Sequence, residues 1–450
     1  MSTRRRPQVR LIAGWLALAL VMAACAGDDE SDSADTSTTE ASDPTETTTG
    51  ELTASARGVT EDTITVGYSY LDFDLLKEMG LSSSGFGDQE LSFQTMVDAL
   101  NEEGGINGRQ VEVVYEAYSP LGTEDAEAAC LRLTQDNEIF AVLGGFFGPA
   151  EPANTCIVGQ QETILVGGVQ SPERLAEARV PWITDRAPRS RSADILLNLL
   201  ESEGMLEGAS VALVTNVDAQ ETHDAVVEAM GQFGIEPVDD LALDAPIGDI
   251  PAEDAAWSAL AERVRSSGAD TLLVAGNPSS TIRNRAALGL DVDIWALDQE
   301  TLLNLGTSVS PEDARGVLSA APLSGGALLE HESFADCRET FEAANPDVTI
   351  IPPEELEETD EDVLSGLAVA CRFLEMFAMV ATEAGADLTP QSFEAALEDL
   401  PDFGISGQPF ASLGPDKLNS NDSFQLVSFD PDAGPTGGLE ALTDIQDVTP

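Results

Sequence analysis

The sequence predicts an α/β protein with parallel sheets, and three observations lead to this prediction. Continuous apolar runs, typical of strands buried on both faces, recur along the chain. The strands that contain these runs are predicted at residues 139–143, 163–166, 211–215 and 271–275. Segments between them carry apolar residues at helical spacing, as Ala126, Cys130 and Leu133 do. At 450 residues the chain is longer than one core usually fills, so we expect two lobes.

The first 25 residues have the features of an export signal. An arginine-rich start is followed by an apolar run over residues 11–21, which is too short to span a bilayer comfortably. The run ends in Met22-Ala23-Ala24-Cys25, and small residues before a cysteine predict lipidation of Cys25. Ordinary cleavage that leaves a free thiol at Cys25 is the alternative.

Residues 26–58 predict a disordered tether. They consist almost entirely of Ser, Thr, Asp, Glu, Ala and Gly, and contain no aromatic residue. Such a segment buries too little apolar surface to offset the entropy lost on ordering. We therefore expect a flexible connection of roughly 30 Å between the membrane and the folded part.

The remaining chain divides into two lobes with interleaved segments. Residues 62–187 begin the first lobe with a strand over 64–70 and a helix over 91–100. Residues 188–320 repeat the strand–helix alternation and form the second lobe. The chain then returns to the first lobe over 321–402 and to the second over 403–437. The last residues, 438–450, are predicted to form a loose tail.

Charge and cysteine content restrict the environment and the partners. The chain has 81 acidic and 21 basic residues, a net charge of −60, which argues against nucleic acid as a partner. Cys25 stands apart from four other cysteines, which allow three pairings. Local pairing, Cys130 with Cys156 and Cys337 with Cys371, is the simplest; four free thiols are the alternative. Disulfides indicate an oxidising compartment.

No motif of an enzyme or a metal site is complete. The glycine run 144–148 fails the dinucleotide fingerprint because Phe146 and Pro149 stand where glycines are needed. Asp430 and Asp432 begin an acidic turn that lacks the further acids of a calcium loop. The sequence has no nucleophile elbow, zinc-protease motif or Cys-x-x-Cys. We therefore expect a protein that is not an enzyme and needs neither cofactor nor metal.

A longer pattern resembles a known family. Asn-Glu-Glu-Gly-Gly-Ile-Asn-Gly-Arg at 101–109 is followed by a strand, a helix with Cys130, Phe-Ala-Val-Leu-Gly at 140–144, and Cys156. This order resembles the type 1 periplasmic binding proteins, in particular the Leu/Ile/Val-binding receptors of ABC transporters. The resemblance runs from about residue 64 to 429. It implies two Rossmann-like lobes with parallel sheets, joined by a hinge that closes on a small solute.

The resemblance also implies which residues bind the solute. Loops after strands of both lobes would converge on it, as ligands bind beyond the carboxyl ends of strands in such sheets. The first lobe would contribute Tyr70, Phe147, Gly148, Val169 and Gln170. The second lobe would contribute Gln220, Asn277 and Asp298.

Several of these positions depart from the amino-acid binders of the family. Asp298 falls where those proteins carry the acid that holds the ligand ammonium, although a helix N-cap before Gln299 is an equal alternative. Gly148 stands where a serine is usual, and Gln170 replaces a small hydroxyl residue. Gln220 and Asn277 replace aromatic residues. A branched-chain amino acid is therefore disfavoured, and we expect an amino acid, amide or related metabolite.

The resemblance implies a role in import. We expect a monomeric lipoprotein on the extracytoplasmic face of the membrane, attached through its lipid alone. Its partners would be the permease and ATPase subunits of an ABC transporter. A receptor domain that senses the solute and feeds a signalling partner is the alternative.

Overall fold

The computed structural model describes residues 52–82, 84–297, 299–303, 305, 309–357, 360–433 and 437–450. The predicted export signal, with Cys25, and residues 26–51 of the predicted tether lie outside the described residues. So does Asp298. The fold and its contacts are therefore those of the chain from residue 52 onward.

The first lobe is built on a parallel sheet of five strands within the described residues, in the order β2-β1-β3-β4-β5. The strands are β1 Thr63–Leu71, β2 Gln110–Tyr118, β3 Ala141–Gly144, β4 Ile164–Gly167 and β5 Trp182–Ile183. The helices between them are α1 Phe73–Glu78, α2 Gln89–Glu102, α3 Thr123–Thr134 and α4 Pro172–Glu177. Every residue of β3 and β4 is buried, as their unbroken apolar sequence predicts.

The second lobe repeats this pattern around a larger mixed sheet. Its parallel strands are β6 Val211–Asn216, β7 Asp239–Leu243, β8 Thr271–Ala275, β9 Asp293–Ala296 and β10 Leu318–Ala321. The accompanying helices are α5 Ser192–Ser202, α6 Gln220–Gln232, α7 Ile250–Ser267, α8 Ser279–Leu288 and α9 Gln299–Leu303. Apolar residues of α5 pack with Leu213, Leu273 and Leu426 in one core of this lobe.

Four helices after β10 return to the first lobe. They are α10 Gly325–Glu330, α11 Ala335–Ala344, α12 Val363–Glu383 and α13 Pro390–Asp399. Helix α12 is long and apolar enough to span a membrane by length and composition, but 61% of its apolar window is buried within the protein. Its residues Phe373 and Phe377 pack with Phe93 and Phe140 in the first-lobe core. The helix is therefore explained as the central core helix of this lobe.

Two disulfides connect the elements that the sequence pairs locally. Cys130 on α3 bonds to Cys156, which begins a π-helical turn over Cys156–Gln160. Cys337 on α11 bonds to Cys371 on α12. Both pairings predicted from the sequence are confirmed, and both lie in the first lobe.

The conspicuous Gly-Gly-Ile-Asn-Gly-Arg turn serves the fold. Gly105 has φ +67°, and a Cβ there would lie 1.9 Å from the carbonyl oxygen of Arg109, so only glycine fits. The side chain of Arg109 is fully buried and donates to the carbonyl oxygens of Thr53, Thr60 and Ala386. The turn thus fastens the amino-terminal segment and the α12–α13 connection to the sheet.

Part of the segment that the sequence assigns to the tether is packed on the first lobe. Residues 52–58, assigned to the tether, lie on the first lobe in the structure. Arg57 donates to the carbonyl oxygens of Ile139 and Thr134, and Ser55 Oγ donates to Leu388 O at 2.6 Å. These polar contacts explain why a segment without aromatic residues is fixed here.

The carboxyl-terminal region also differs from the expected lobe boundaries. Its strands are β11 Phe403–Ile405, β12 Gln408–Ala411, β13 Ser423–Asp430, β14 Gly438–Ala441 and β15 Gln446–Asp447. The β11–β12 hairpin, assigned to the second lobe, places Ile405 in the first-lobe core. Strands β14 and β15 fall in the predicted loose tail but pair antiparallel with β13, which itself pairs antiparallel with β10 in the second sheet. Backbone hydrogen bonding to an available strand orders this polar segment.

Candidate functional site

The carboxyl ends of the strands form one edge in each lobe. In the first sheet, β1, β3 and β4 are parallel and end side by side at Leu71, Gly144 and Gly167. A Cβ on Gly145 would lie 3.0 Å from the Cα of Gly168, so the two loops that follow β3 and β4 touch. Because ligands in open α/β sheets bind beyond these ends, this edge is the candidate surface of the first lobe.

The loop after β3 is held by three polar side chains. Ser69 Oγ accepts from the amide N–H of Gly145 at 2.7 Å. Asn154 Oδ1 accepts from the amide of Phe146 at 2.8 Å, and Asn154 Nδ2 donates back to the Phe146 carbonyl at 2.9 Å. The loop therefore has a fixed shape before any ligand arrives.

Tyr118 completes this support. Its hydroxyl accepts from the amide of Phe147 at 3.1 Å, and its ring packs edge-on against Phe146 at 4.8 Å between centroids. Burial raises the pKa of the Tyr118 hydroxyl, which keeps it protonated at neutral pH. Three successive amides of the loop are thus already paired within the protein.

A cation lies over the aromatic residue of this loop. The guanidinium carbon of Arg186 is 4.9 Å from the centroid of the Phe147 ring, within cation–π range. Arg186 follows β5 at the same sheet edge, and its side chain is exposed. A second cation, Arg174, is bound to the carboxylate of Glu151 at 2.9 Å and to the Val169 carbonyl at 2.7 Å.

The opposing edge, in the second lobe, is polar near its centre. Asn216 ends β6, and its Oδ1 would lie 3.6 Å from a Cβ on Gly276, the residue after β8. Asn277 Oδ1 accepts from the amide of Ser279 and fixes the start of α8. Gln220 is exposed at the start of α6 and donates to Asp224 at 2.7 Å. The predicted residues Gln220 and Asn277 therefore lie at the carboxyl edge, with hydrogen bonds to neighbours on their own segments.

Three chain crossings join the lobes at these edges. The first leaves β5 after Ile183 and enters α5 at Ser192. The second leaves the carboxyl end of β10 at Ala321, and the third enters β13 at Ser423 beside that end. All three crossings connect the carboxyl edges of the two sheets, so these edges border the region where the lobes are joined.

A buried cluster of charges ties the first crossing to the third. Asp422 has no exposed side-chain surface, and its carboxylate is 3.0 Å from both Arg191 and Lys417. Ser412 Oγ donates to the same carboxylate at 2.6 Å. Arg191 also donates to the Val448 carbonyl at 3.0 Å, so the end of the chain joins the cluster. We call Arg191, Ser412, Lys417 and Asp422 the hinge cluster.

Two further contacts connect the first crossing to the first lobe. Arg372 on α12 donates through Nε to Asp185 Oδ2 at 2.8 Å. Gln170 donates to the carbonyl oxygens of Trp182 and Leu418 at 2.8 and 3.1 Å. Gln170 is predicted to contact the ligand, but its side-chain N–H groups form hydrogen bonds at the crossing. No local sequence pattern points to Asp185 or Arg372 in this role, because the two residues lie 187 positions apart.

The other predicted residues of the first lobe occupy the same edge. Gly148 is exposed at φ +61°, and a Cβ there would meet no atom within 4 Å, which leaves open space beside it. Val169 is half-buried after β4. Tyr70, near the end of β1, is half-buried and donates its hydroxyl to Glu90. Phe147 is half-buried beneath Arg186.

The described part of the chain offers no arrangement for metal binding, since no three His, Cys, Asp or Glu side chains there could hold one ion. His223 lies on α6, away from the strand ends, between Asp224 at 3.0 Å and Asp240 at 2.7 Å. Hydrogen bonds to Asp224 and Asp240 raise its pKa. Two surface hollows of 310 and 640 Å³ lie beside the β11–β12 hairpin and the last strands, not at the strand ends.

The fold and its three crossings define a class, the two-lobed α/β binding proteins in which a hinge joins the lobes. The family model described as "Periplasmic binding protein" matches residues 75–428. The chain belongs to that family. Its two-lobed α/β architecture is the type 1 fold that the sequence resemblance predicts. A search of curated proteins finds no match.

Solved structures are similar in fold. A leucine complex of an ABC transporter substrate-binding protein from Desulfitobacterium hafniense is 16% identical with a TM-score of 0.56, covering 84% of this chain and 100% of that one. A solute-binding protein from R. palustris in complex with 4-hydroxybenzoate is 18% identical with a TM-score of 0.52, covering 86% and 98%.

A fatty acid ABC transporter substrate-binding protein from Thermomonospora curvata is 15% identical with a TM-score of 0.51, covering 87% of this chain and 94% of that one. At such identities the likeness concerns the fold alone. The descriptions of these three proteins name different solutes for one architecture, so the fold does not select among solutes.

Proposed function

We propose that this protein is the extracytoplasmic solute-binding lipoprotein of an ABC importer. The observation that carries the proposal is the set of three crossings at the carboxyl edges of a parallel and a mixed sheet, an arrangement that suits a hinge beside a ligand cleft. A small organic solute binds between the edges, the lobes close, and the closed form docks on a permease. The solute leaves unaltered, so no catalytic group is required.

The proposed contacts come from both lobes. Tyr70, Phe147, Gly148 and Val169 face the solute from the first lobe, with Gln170 supporting them at the crossing. Gln220, Asn277 and Asp298 act from the second lobe. Amino acids and amides, the class expected from the sequence, are the first solutes to test.

Attachment to the membrane completes the proposal. Cys25 is lipidated and becomes the first residue of the mature chain when residues 1–24 are removed, and the acidic segment that follows spaces the domain from the surface. Globomycin, an inhibitor of lipoprotein signal cleavage, would retain the precursor, and a labelled fatty acid would be incorporated at Cys25. Cys25→Ser would release an unacylated protein to the medium or periplasm; label on that variant would disprove this attachment site.

Binding can be tested with a thermal-shift screen of the purified protein over amino acids, amides, urea and organic acids. A ligand at 100 times its dissociation constant adds about 2.7 kcal/mol to the free energy of unfolding. Mass spectrometry must then recover the ligand unchanged. Loss of uptake of that solute in a deletion strain supports import, whereas normal uptake with a lost response supports the sensory alternative. Conversion of the solute would refute the proposal.

A further inference from the structure

Residues 445–448 touch both lobes at the hinge. Within them, strand β15 pairs with the start of β13, where Gln446 lies opposite Phe424 and Asp447 opposite Ser423. The start of β13 is the point where the third crossing enters the second lobe. Residues 445–448 therefore run along this crossing, and we call them the hinge strap.

Val448 holds one end of the hinge strap in the second lobe. Its side chain is 4% exposed and packs in the core that contains Phe424, Leu426 and apolar residues of α5. Its amide N–H donates to the carbonyl oxygen of Asp422 at 2.9 Å, and its own carbonyl oxygen accepts from Arg191 at 3.0 Å. This end is therefore fixed by apolar burial and by one hydrogen bond to each of the first and third crossings.

Ile445 holds the other end against the first lobe. It is half-buried and packs on an apolar cluster formed by Leu323 and by residues of α10, α11 and α12. Leu323 lies in the second crossing, two residues after the end of β10, and the three helices belong to the first lobe. The disulfide between Cys337 and Cys371 joins α11 to α12 inside this cluster, so Ile445 rests on a firm support.

The hinge strap is thus a noncovalent connection between the lobes, beside the three covalent crossings. Ile445 and Val448 are three residues apart, at most about 10 Å along an extended chain, so the strap has little slack. A change of the angle between the lobes moves the two apolar clusters relative to each other. Such a change pulls on both side chains, and exposing either of them to water costs free energy.

From these contacts we propose that the hinge strap limits the range of angles between the lobes when no solute is bound. This inference rests on the proposed function and adds a device to it. A hinge with a narrow range of angles loses less conformational entropy when the lobes close on a solute. Ile445 and Val448 are positioning residues, because they act through the hinge and not on the solute.

The range of lobe angles can be measured without a solute. Spin labels on Glu102→Cys and Glu236→Cys would occupy exposed positions at the amino edges of the two sheets, away from the crossings. Cys25→Ser removes one competing thiol from the otherwise full-length chain, and the other four cysteines are paired in disulfides. Pulsed electron paramagnetic resonance then gives the distribution of distances between the two labels.

Two variants release opposite ends of the hinge strap. Ile445→Asn and Val448→Asn place an amide among apolar side chains that offer it no partner, so each should displace the strap and widen the distance distribution. Because a strap works only while both ends hold, the double variant should be no wider than the wider single variant. Leu442→Asn changes a residue of the same region that is 46% exposed, and this control should leave the distribution unchanged.

Each contrary outcome has a definite meaning. Unchanged distributions in both single variants overturn the proposal, since the hinge then keeps its angle without the strap. A double variant whose widening is the sum of the two single effects also overturns it, since the two side chains then act independently. Circular dichroism checks that the variants fold, and Ile445→Asn, at the half-buried end, is the milder change.

None of these outcomes depends on a solute, so the proposed function is judged separately. It fails if the thermal-shift screen finds no solute for the parent protein, whatever the distance distributions show. If a solute is found and the distributions do not change, the solute-binding function stands and the hinge strap is refuted.

Discussion

Arg191 and Asp422 form an ion pair of 3.0 Å at the point where the first and third crossings meet. Asp422 is completely buried, and Lys417 and Ser412 complete its surroundings. The protein has only two lysines, and one of them is used here. The hinge is thus held by charge-assisted hydrogen bonds rather than by apolar packing alone.

We predict that Asp422→Asn lowers the free energy of unfolding by about 3 kcal/mol, because the two partly buried cations Arg191 and Lys417 lose their counter-charge. Denaturant unfolding followed by circular dichroism would measure the change. Glu312→Gln, which removes an exposed partner of Arg315, is the control and should leave the midpoint nearly unchanged. Equal effects of the two substitutions would show that the hinge cluster does not stabilise the fold.

The disulfide between Cys130 and Cys156 should stabilise the first lobe. It closes a loop with a sequence separation of 26 residues, for which the chain-entropy estimate is about 3 kcal/mol. Replacing both cysteines by serine should lower the free energy of unfolding by about that amount. The single variant Cys25→Ser, which leaves both disulfides intact, is the control. A double variant as stable as the parent would contradict the estimate.

The environment of His223 predicts that the free energy of unfolding depends on pH. Hydrogen bonds to Asp224 and Asp240 raise its pKa above the ordinary 6.5, so the folded state holds the proton more tightly than the unfolded state. The stabilisation is complete below pH 6.5 and is lost as the pH rises through the raised pKa. The stability difference between the parent and His223→Gln should therefore be larger at pH 6 than at pH 9. If the stability difference between the parent and His223→Gln instead increases with pH, the pKa of His223 is not raised by folding.

The net charge of −60 predicts that salt stabilises the domain. Raising potassium chloride from about 0.01 M to 1 M shortens the Debye length from roughly 30 Å to 3 Å and screens the self-repulsion of the acidic surface. The thermal midpoint should rise over this range at pH 7. Chloride is preferable to sulfate, which strengthens apolar burial by exclusion. A falling midpoint would mean that attractive ion pairs outweigh the repulsion.

The sequence predicts the sheets well because their strands are continuous apolar runs between helical segments. Residues 139–143 and 163–166 correspond to β3 and β4, and the local pairing of cysteines is the observed pairing. These features depend on local pattern or on a short separation along the chain. The fold class can therefore be predicted from them without any knowledge of tertiary contacts.

The features that the sequence did not predict depend on contacts between distant segments. Strands β14 and β15 are short, and they form because their backbones pair with β13. Asp185 and Arg372 are 187 residues apart, so nothing local connects them. The pairing of Arg186 with Phe147 is likewise invisible along the chain, since each lies in an ordinary loop. At the candidate site, the sequence therefore identified loops but not the interactions within them.

In the proposed function, the two lobes close on a small solute and release it unchanged. Small-angle X-ray scattering of the exported protein, titrated with the solute that raises its thermal midpoint, tests this most directly. We predict that the radius of gyration falls saturably with solute, returns on dialysis, and that mass spectrometry recovers the solute intact. A solute that binds and leaves the radius of gyration unchanged would show that the lobes do not close.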